Sequence, residues 1–496
     1  MLVAARRPGV ALAPLPAVRG ALLAALAIVL LAAAQGGYFP SAWRLGAMAL
    51  AAAAGLIALR EPRRLSRTTV ATGALLALLL VLSLASSLWS VDPHSSALEA
   101  QRILLYLAAF AAFALARDGL EAGVVLGASV VAIWALGDRV FRGAPVDRYE
   151  GKLLTGPLGY ANGLGALVAI AAAVTAVAAI KQRRAILAAP LLVLLPALAL
   201  TDSRASWLAL AIALLGGIGA AAGGLGLVAL LLLAPAQIGD RVDWWHAARS
   251  EGLHHLLGGS GAGTFHDLYQ RLPAAHDAHS LYLQTFAELG LPGLVIVTGL
   301  VVLPIVLAFR GKHAAVAAGL VVFALHAGVD WDWQLPAVTV AALFCAVGLL
   351  VAARGTAPSL GRVARGATLA LVGLLGVLAF VGLRGNQAVA ASQAAATRGD
   401  WGAAAAHARS ARSWAPWSAQ PWQLLGEAQA ATGDDVAARA SYRRALAKDG
   451  EDWSIWLDLA VASSGAEQRR AFAEATRLDP LGPEIAAWKS VTRRAG

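Results

Sequence analysis

Six of the ten histidines fall in one polar stretch, residues 239–279, which interrupts a largely apolar chain. An imidazole titrates near neutral pH, so a histidine can act as a general base or bind a metal. The spacing matches no strong metal motif, and we expect most of the six to be surface residues without a role. His279 is the favoured base because an apolar run begins directly after it, which places it at a membrane boundary. The six are His246, His254, His255, His266, His276 and His279.

Two arginines are candidates for binding a phosphate near the same boundary. Arg204 lies in the short polar turn 201–204 between two apolar runs, and Arg241 precedes Trp244 and Trp245 in the polar stretch. A planar guanidinium matches the oxygens of a phosphate. The alternative is an arginine that snorkels to lipid headgroups. The tryptophans fit either an interfacial anchor or a surface on which a sugar stacks.

Residues 138–163 hold a further group of polar side chains. Tyr160 and Asn162 stand at the mouth of an apolar run, where an amide can bind a sugar hydroxyl or cap a helix. The segment before them fits either an anionic ligand or a mixed-charge loop. Its cations are Arg139, Arg142, Arg148 and Lys152, and its acids are Asp138, Asp147 and Glu150.

Two polar turns complete the set of candidates. The glycine-rich segment 258–263 suggests either a phosphate-binding nest of backbone N–H groups or a tight turn. It lacks the Gly-Lys-Ser/Thr of a nucleotide-binding loop, so a nucleotide site is not expected. The acidic turn 330–333 follows His326 and either orients an acceptor or faces water.

The elements that position these residues are apolar helices. The 496-residue chain is 59% hydrophobic and 14% charged, against about 25% charged in soluble domains. Repeated runs of about 20 apolar residues predict an all-α, polytopic membrane bundle of about 12–13 spans. The single cysteine, Cys345, excludes an intrachain disulfide. The predicted spans are 18–35, 41–59, 68–88, 98–116, 120–137, 159–180, 185–200, 205–222, 224–238, 280–309, 314–329, 336–353 and 367–384.

The distribution of basic residues predicts the orientation in the membrane. Clusters at 6–19, 60–67, 181–184, 310–312 and 354–365 all fall on one side if this span count holds. The positive-inside rule makes that side cytoplasmic. We therefore expect a multi-pass protein of the cytoplasmic (inner) membrane. Its insert 239–279 and everything after residue 384 then lie on the extracytoplasmic side.

The tail, residues 386–496, has a different composition and an internal repeat. Trp422-x-x-Leu425-Gly426 recurs as Trp456-x-x-Leu459-Ala460 after 34 residues. A W-x-x-L-G pattern at this period is typical of tetratricopeptide repeats, which stack into an α-solenoid that binds partners on its concave face. The alternative is a plain domain of helical hairpins. The expected organisation is a membrane domain over 1–384, with the insert 239–279 inside it, and a repeat domain over 386–496.

The motifs together resemble the O-antigen ligase and O-antigen polymerase superfamily. The resemblance covers about 200 residues, from Gly156 to Pro336. Ala205 and Ser280 depart from its usual pattern, in which glycine and asparagine stand at these positions. The segments that carry it are Thr201-Asp202-Ser203-Arg204-Ala205-Ser206, Arg241 with Trp244–Trp245, Gly258–Phe265, and His279-Ser280-x-Tyr282-Leu283-Gln284 through Glu288–Gly293.

The resemblance implies a metal-independent glycosyltransferase of the all-helical, GT-C-like type, with no cofactor. Such an enzyme moves a glycan from an undecaprenyl-diphosphate carrier to a glycan, lipid or protein acceptor outside the cytoplasmic membrane. Arg204 and Arg241 match the positions that contact the diphosphate, and His279 matches the proposed base. The expected substrate contacts are Tyr160, Asn162, Arg148, Lys152, Tyr282 and Trp244.

Three versions of this activity remain open, together with one reading from another class. The enzyme is a ligase, a polysaccharide polymerase or a protein O-oligosaccharyltransferase. The repeat domain favours a protein acceptor or partner without deciding between them, and no nucleic-acid partner is expected. The other reading is an envelope transporter or a non-catalytic scaffold. It is disfavoured because the spans are nearly free of charge and show no inverted internal repeat.

Overall fold

The computed structural model describes residues 15–60, 65–143, 150–215, 235–268, 277–309, 313–352, 362–480 and 482–495. This part of the chain is all-helical and contains no β-strand. Helices suit an apolar chain because they satisfy their backbone hydrogen bonds internally, which a bilayer requires. The helices of the first half are α1 (Leu15–Ala33), α2 (Pro40–Arg60), α3 (Arg67–Ser86), α4 (Pro93–Ala116), α5 (Leu120–Arg142), α6 (Ala161–Gln182), α7 (Leu191–Leu200) and α8 (Arg204–Leu215).

The second half holds the polar insert, the last apolar helices and the tail. Its helices before the tail are α9 (Pro235–His254), α10 (Phe265–Leu268), α11 (Leu281–Phe309), α12 (Ala314–His326), α13 (Pro336–Ala352) and α14 (Arg362–Thr397). The tail contains α15 (Trp401–Trp414), α16 (Gln420–Ala431), α17 (Asp435–Leu446), α18 (Trp453–Val461), α19 (Gly465–Leu478) and α20 (Pro483–Ala495).

Seven of the described helices are long and apolar enough to cross a membrane, namely α2 to α6, α11 and α14. Five shorter apolar helices correspond to α1, α7, α8, α12 and α13. Each of these twelve overlaps a predicted span. An all-helical fold is thus confirmed for the described residues, and the seven long helices are compatible with a multi-pass membrane protein. The remaining predicted span, 224–238, lies outside the described residues except for its last four, which begin α9.

The apolar helices share one hydrophobic core. In α4 and α6, 72% of the residues of the most apolar segment are buried inside the protein. Small residues allow close packing at the edge of this core. Gly119, Gly123 and Gly127 recur every fourth residue, and a Cβ at Gly123 would lie 2.4 Å from that of Ala24 on α1. The outward leucines of α1, such as Leu30 at 65% exposure, are positioned to face lipid.

Two features were not predicted from the sequence. α9 runs through the first half of the insert 239–279 and packs on α11. α14 continues from its apolar segment into the tail, across the expected domain boundary at residues 384–386. From α15 to α19, each helix packs on the one before it. Within this series, Gly426 leaves room for the ring of Tyr442, whose Cε1 would lie 2.5 Å from a Cβ at residue 426.

Candidate functional site

A buried carboxylate joins three distant segments at one end of the bundle. Asp330 is fully buried in the turn after α12. Its Oδ1 accepts a hydrogen bond from the Tyr160 hydroxyl at 2.7 Å, and its Oδ2 accepts from Asn162 Nδ2 at 2.9 Å. Arg241 Nη2 forms an ion pair with Oδ2 at 3.3 Å, and Nη1 donates to the Val329 carbonyl at 2.6 Å. We call Tyr160, Asn162, Arg241 and Asp330 the Asp330 cluster.

The local sequence explains how the cluster forms. Tyr160 is the N-cap residue of α6 and Asn162 lies in its first turn, while Arg241 comes from α9. The Tyr160 ring also packs against Trp331 at 4.5 Å. Burial, together with the charge of Asp330, raises the pKa of Tyr160 well above its usual value, so the phenol stays a donor. The structure thus brings Tyr160, Asn162 and Arg241 together, but holds them against Asp330.

His279 stands beside this cluster in a strained conformation. Its φ is +47°, a value that is uncommon for any residue but glycine. The imidazole packs on the Trp244 ring with 4.7 Å between centroids, and Nδ1 lies 3.2 Å from the Asp277 carbonyl oxygen. A carbonyl oxygen only accepts, so Nδ1 carries the proton and Nε2 of the neutral ring remains an acceptor.

The electrostatic surroundings keep His279 neutral. Burial is the main cause that lowers its pKa below the ordinary value, and the charge of Arg241 lowers it further. Asp330 and Asp277 act in the opposite direction. The net lowering leaves an unprotonated imidazole at neutral pH, which is the form a general base needs.

A second carboxylate fastens the insert to α11. Glu288 Oε2 accepts from the Gly263 N–H at 2.8 Å, and Oε1 accepts from the Phe265 N–H at 3.3 Å. Oε1 also accepts at 3.0 Å from Gln284 Nε2, and Gln284 Oε1 accepts from the Ala278 N–H at 3.1 Å. The insert is therefore anchored directly before His279 as well as at its glycine-rich turn.

The N–H groups of the glycine-rich turn are already hydrogen-bonded within the protein. The Ser260 and Gly261 N–H groups donate to the carbonyls of Ala287 and Glu288 at 3.0 and 2.8 Å. The Ala262 N–H donates to Ser86 Oγ at 3.0 Å. These donors, like that of Gly263, are not free for a phosphate, so the phosphate-nest interpretation is wrong and the tight-turn alternative describes this segment.

A polar cavity of about 330 Å³ lies between the insert and α4; we call it the polar chamber. Arg102 Nη2 forms an ion pair with Glu99 Oε2 at 2.6 Å, and Nη1 donates to Gln334 at 3.3 Å. Gln334 in turn donates to the Asp277 carboxylate. Burial raises the pKa of Asp277, although His279 and the Gln334 amide partly offset this. The chamber is rich in acids, since Glu99, Asp277 and Glu288 face one arginine and His266.

Glu99 and Arg102 are site residues that were not predicted from the sequence. A signal for them was present, because two charged residues three apart in an apolar run are costly unless they serve a purpose.

A smaller apolar cavity of about 150 Å³ adjoins the polar chamber; we call it the apolar pocket. Glu99 and Glu288 line both spaces. The pocket lies among helices that are apolar, and most of its lining side chains are apolar as well. Its walls come from α3, α4, α11, α12 and α13, with Leu76, Leu79, Ile103, Phe110, Val297, Leu300, Leu320 and Phe323 among the lining residues.

A series of buried polar side chains, linked by hydrogen bonds, ends at the acidic turn 330–333. His326 Nε2 lies 2.9 Å from Ser206 Oγ, and its Nδ1 lies 3.1 Å from Asp332 Oδ1. Ser206 Oγ is 2.8 Å from Ser203 Oγ. The order serine, histidine, aspartate matches that of a hydrolase triad, but Ser206 is fully buried and so does not reach a substrate in this arrangement. The series instead ties α8 and α12 to the turn that carries Asp330.

The other predicted site residues take different positions. Arg204 is exposed at the first residue of α8 and makes no hydrogen bond or ion pair with a described residue. Lys152 is exposed as well, and its carbonyl accepts from Arg139 at 2.7 Å. Tyr282 donates its hydroxyl to the Ala324 carbonyl at 3.0 Å, which gives it a packing role between α11 and α12. Arg148 lies outside the described residues.

The remaining histidines of the insert divide into two groups. His246, His254 and His255 are exposed on or next to α9, whereas His266 lines the polar chamber. His276 lies outside the described residues. Within the described ranges, no three His, Cys, Asp or Glu side chains are grouped as metal ligands.

Neither a protein-family model nor a curated protein matches this chain. The geometry of these side chains is therefore the basis for assigning a function.

Proposed function

We propose that this protein is a membrane glycosyltransferase of the O-antigen-ligase-like type, with a GT-C-like bundle. It would transfer a glycan from an undecaprenyl-diphosphate carrier to an acceptor at the outer face of the cytoplasmic membrane. The observation that carries this proposal is the contact between an acid-lined polar chamber and an apolar pocket. Asp277 lines the chamber, and its carbonyl oxygen lies 3.2 Å from Nδ1 of His279. An amphiphile with a polar reacting end and a hydrocarbon chain fits this pair of spaces.

The acceptor side of the reaction uses the chamber and His279. Carboxylates and amides accept hydrogen bonds from sugar hydroxyls, and the chamber offers both. His279 Nε2 would take the proton of the attacking hydroxyl as its oxygen forms the new bond to the anomeric carbon of the donor sugar. The bond between that carbon and the carrier phosphate then breaks, and the carrier diphosphate leaves with the electron pair.

The donor side requires positive charge near the leaving diphosphate. Arg241 reaches the turn after α12 through Val329 and Asp330, and α8 reaches the same region through Ser206 and His326. Arg204 and Arg241 therefore come from elements anchored at one place. In this proposal Arg204 contacts the phosphates directly, and Arg241 adds charge while its position is fixed by Asp330.

The tail is the region that we propose binds a partner. We propose that α15 to α19 form tetratricopeptide-like pairs on the extracytoplasmic side. The packing of each of these helices on the next and the room that Gly426 leaves for Tyr442 support this. Such a solenoid would bring a protein acceptor or an assembly factor to the membrane surface.

The decisive test is transfer by the purified, full-length protein from an undecaprenyl-diphosphate-linked glycan. His279→Ala and Arg204→Ala are expected to lose about 100-fold or more in rate, as loss of a catalytic base or a charge-stabilising group does. His254→Ala, an exposed histidine of the same insert, is the matched control and should transfer normally. Unchanged transfer in both site variants would overturn the site assignment.

Deletion of the gene separates the versions of the activity. Accumulation of full-length glycan on the carrier would indicate a ligase or an oligosaccharyltransferase, and accumulation of single repeats would indicate a polymerase. Unaltered carrier-linked and surface glycans would count against glycosyl transfer altogether.

A further inference from the structure

We infer that the groove between the tail and the membrane helices binds a neutral glycan chain. This groove has a volume of about 520 Å³, and we call it the tail groove. One wall comes from α2 and α4, and the other comes from α14 and the segment between α15 and α16. The side chains that we assign to the ligand are Ser41, Asn386, Gln393, Trp417, Ser418 and Gln420.

The carboxamides of the groove are available to a ligand. The side chains of Asn386, Gln393 and Gln420 line it and make no hydrogen bond with any residue that the structure describes. Each carboxamide offers a carbonyl acceptor and two N–H donors. A sugar hydroxyl donates and accepts at one oxygen, so a run of hydroxyls matches a run of such amides. Trp417 adds an exposed indole, 43% accessible, whose face suits the C–H face of a sugar ring.

The charge of the groove favours a neutral ligand. No carboxylate is found among its described lining residues. Arg44 is the strong cation there, but its Nη1 donates to the Gly382 carbonyl at 2.7 Å. Its Nε and Nη2 donate to Gln101 Oε1 at 3.1 and 2.6 Å. Three of its five N–H groups are thus used within the protein, and no lysine or second arginine is among the described lining residues. The groove therefore lacks the several free cationic donors that would bind an anionic polymer.

The position of the groove favours a glycan over a peptide. Pro40 and Leu98 line both the tail groove and the polar chamber, so the two spaces adjoin. A glycan whose reacting end lies in the chamber would leave it along the groove. This last step rests on the proposed function, whereas the match of carboxamides and indole to sugar does not.

The test uses the full chain in nanodiscs and arrays of neutral oligosaccharides, acidic oligosaccharides and peptides. We expect retention of neutral oligosaccharides, and about a tenfold or greater loss of affinity in the combined Asn386→Ala, Gln393→Ala and Trp417→Ala variant. Gln387→Ala is the matched control, because this carboxamide on α14 is exposed and pairs with Arg384 at 3.1 Å.

The single variant Gln393→Glu tests the inference if the combined variant fails to fold. Gln393→Glu changes an exposed side chain and places a charge in the groove, so it should also weaken retention. Failure to retain any neutral oligosaccharide would overturn the inference. Groove variants that bind neutral oligosaccharides with wild-type affinity would also overturn it. The same holds if the wild type retains peptides and the groove variants do not. His279→Ala should keep oligosaccharide retention, so a failed transfer test and a failed groove test remain distinguishable.

Discussion

At the scale of single residues, His279 combines a strained backbone with a side chain held in one tautomer. The Asp277 carbonyl fixes the proton on Nδ1, and the Trp244 ring restricts the imidazole plane. A residue kept at φ +47° by its surroundings is a frequent sign of a functional position. The backbone of Asp277 thus orients the proposed base, and its side chain lines the polar chamber.

The pH dependence of transfer should report the state of His279. The neutral imidazole is the active form, and its pKa is lowered from 6.5, so the rate should rise through an inflection below pH 6.5 and be level at neutral pH. Removing a nearby positive charge raises the pKa of a histidine. The residual activity of Arg241→Gln should therefore show its inflection at a higher pH.

The measurement is the rate of transfer by the purified protein between mildly acidic and neutral pH. The control is His279→Ala, whose residual rate should lose the inflection. An inflection that persists in His279→Ala would assign the base to another group.

At the scale of elements, the break in α11 holds the insert in place. Gly290 has φ +63° and ψ −161°, a conformation essentially restricted to glycine. A Cβ there would lie 2.5 Å from the Leu256 carbonyl oxygen. The break brings the glycine-rich turn against the backbone of Ala287 and Glu288.

Gly290→Ala should destabilise the protein and release this turn. The backbone strain alone costs about 1–3 kcal/mol, and the contact with Leu256 adds to it. We expect a lower thermal midpoint in detergent and faster proteolysis within residues 255–263. Gly299→Ala is the control, because it lies in the same helix and a Cβ there meets nothing within 4 Å. Equal midpoints and cleavage rates for the two variants would contradict this role of the break.

The sequence predicts the helices better than it predicts the side-chain contacts between them. Hydropathy alone located twelve apolar helices, since each run must bury its own backbone in lipid. It also singled out Tyr160, Asn162 and Arg241, but the carboxylate that joins them is about 90 to 170 residues away along the chain. Contacts of that range depend on how the helices pack, which no local pattern records.

Local patterns did not reveal two further features. The polar composition of the insert did not predict α9, which forms there by packing on α11. The change of composition near residue 385 predicts a domain boundary, and it did not reveal that α14 continues through that position. A helix requires only that its residues tolerate helical geometry, so a change from apolar to polar side chains does not end it.

At the scale of the whole molecule, the orientation in the membrane is open to direct measurement. The basic clusters predict that α9 lies outside and the end of α6 inside. Replacing the buried Cys345 by serine gives a background without cysteine. In intact cells, a membrane-impermeant maleimide should label His246→Cys and spare Lys181→Cys, both at exposed positions. The opposite labelling would reverse the orientation and the sidedness of the site.

The continuity of α14 has a mechanical consequence. At 1.5 Å per residue its 36 residues extend about 54 Å, and a bilayer core takes up only about 30 Å. The remainder continues into the tail, and Arg44 of α2 donates to the Gly382 carbonyl of the same helix. Because one continuous helix joins the apolar segment to the tail, we expect the tail, and any partner bound to it, to stay at a fixed distance from the site.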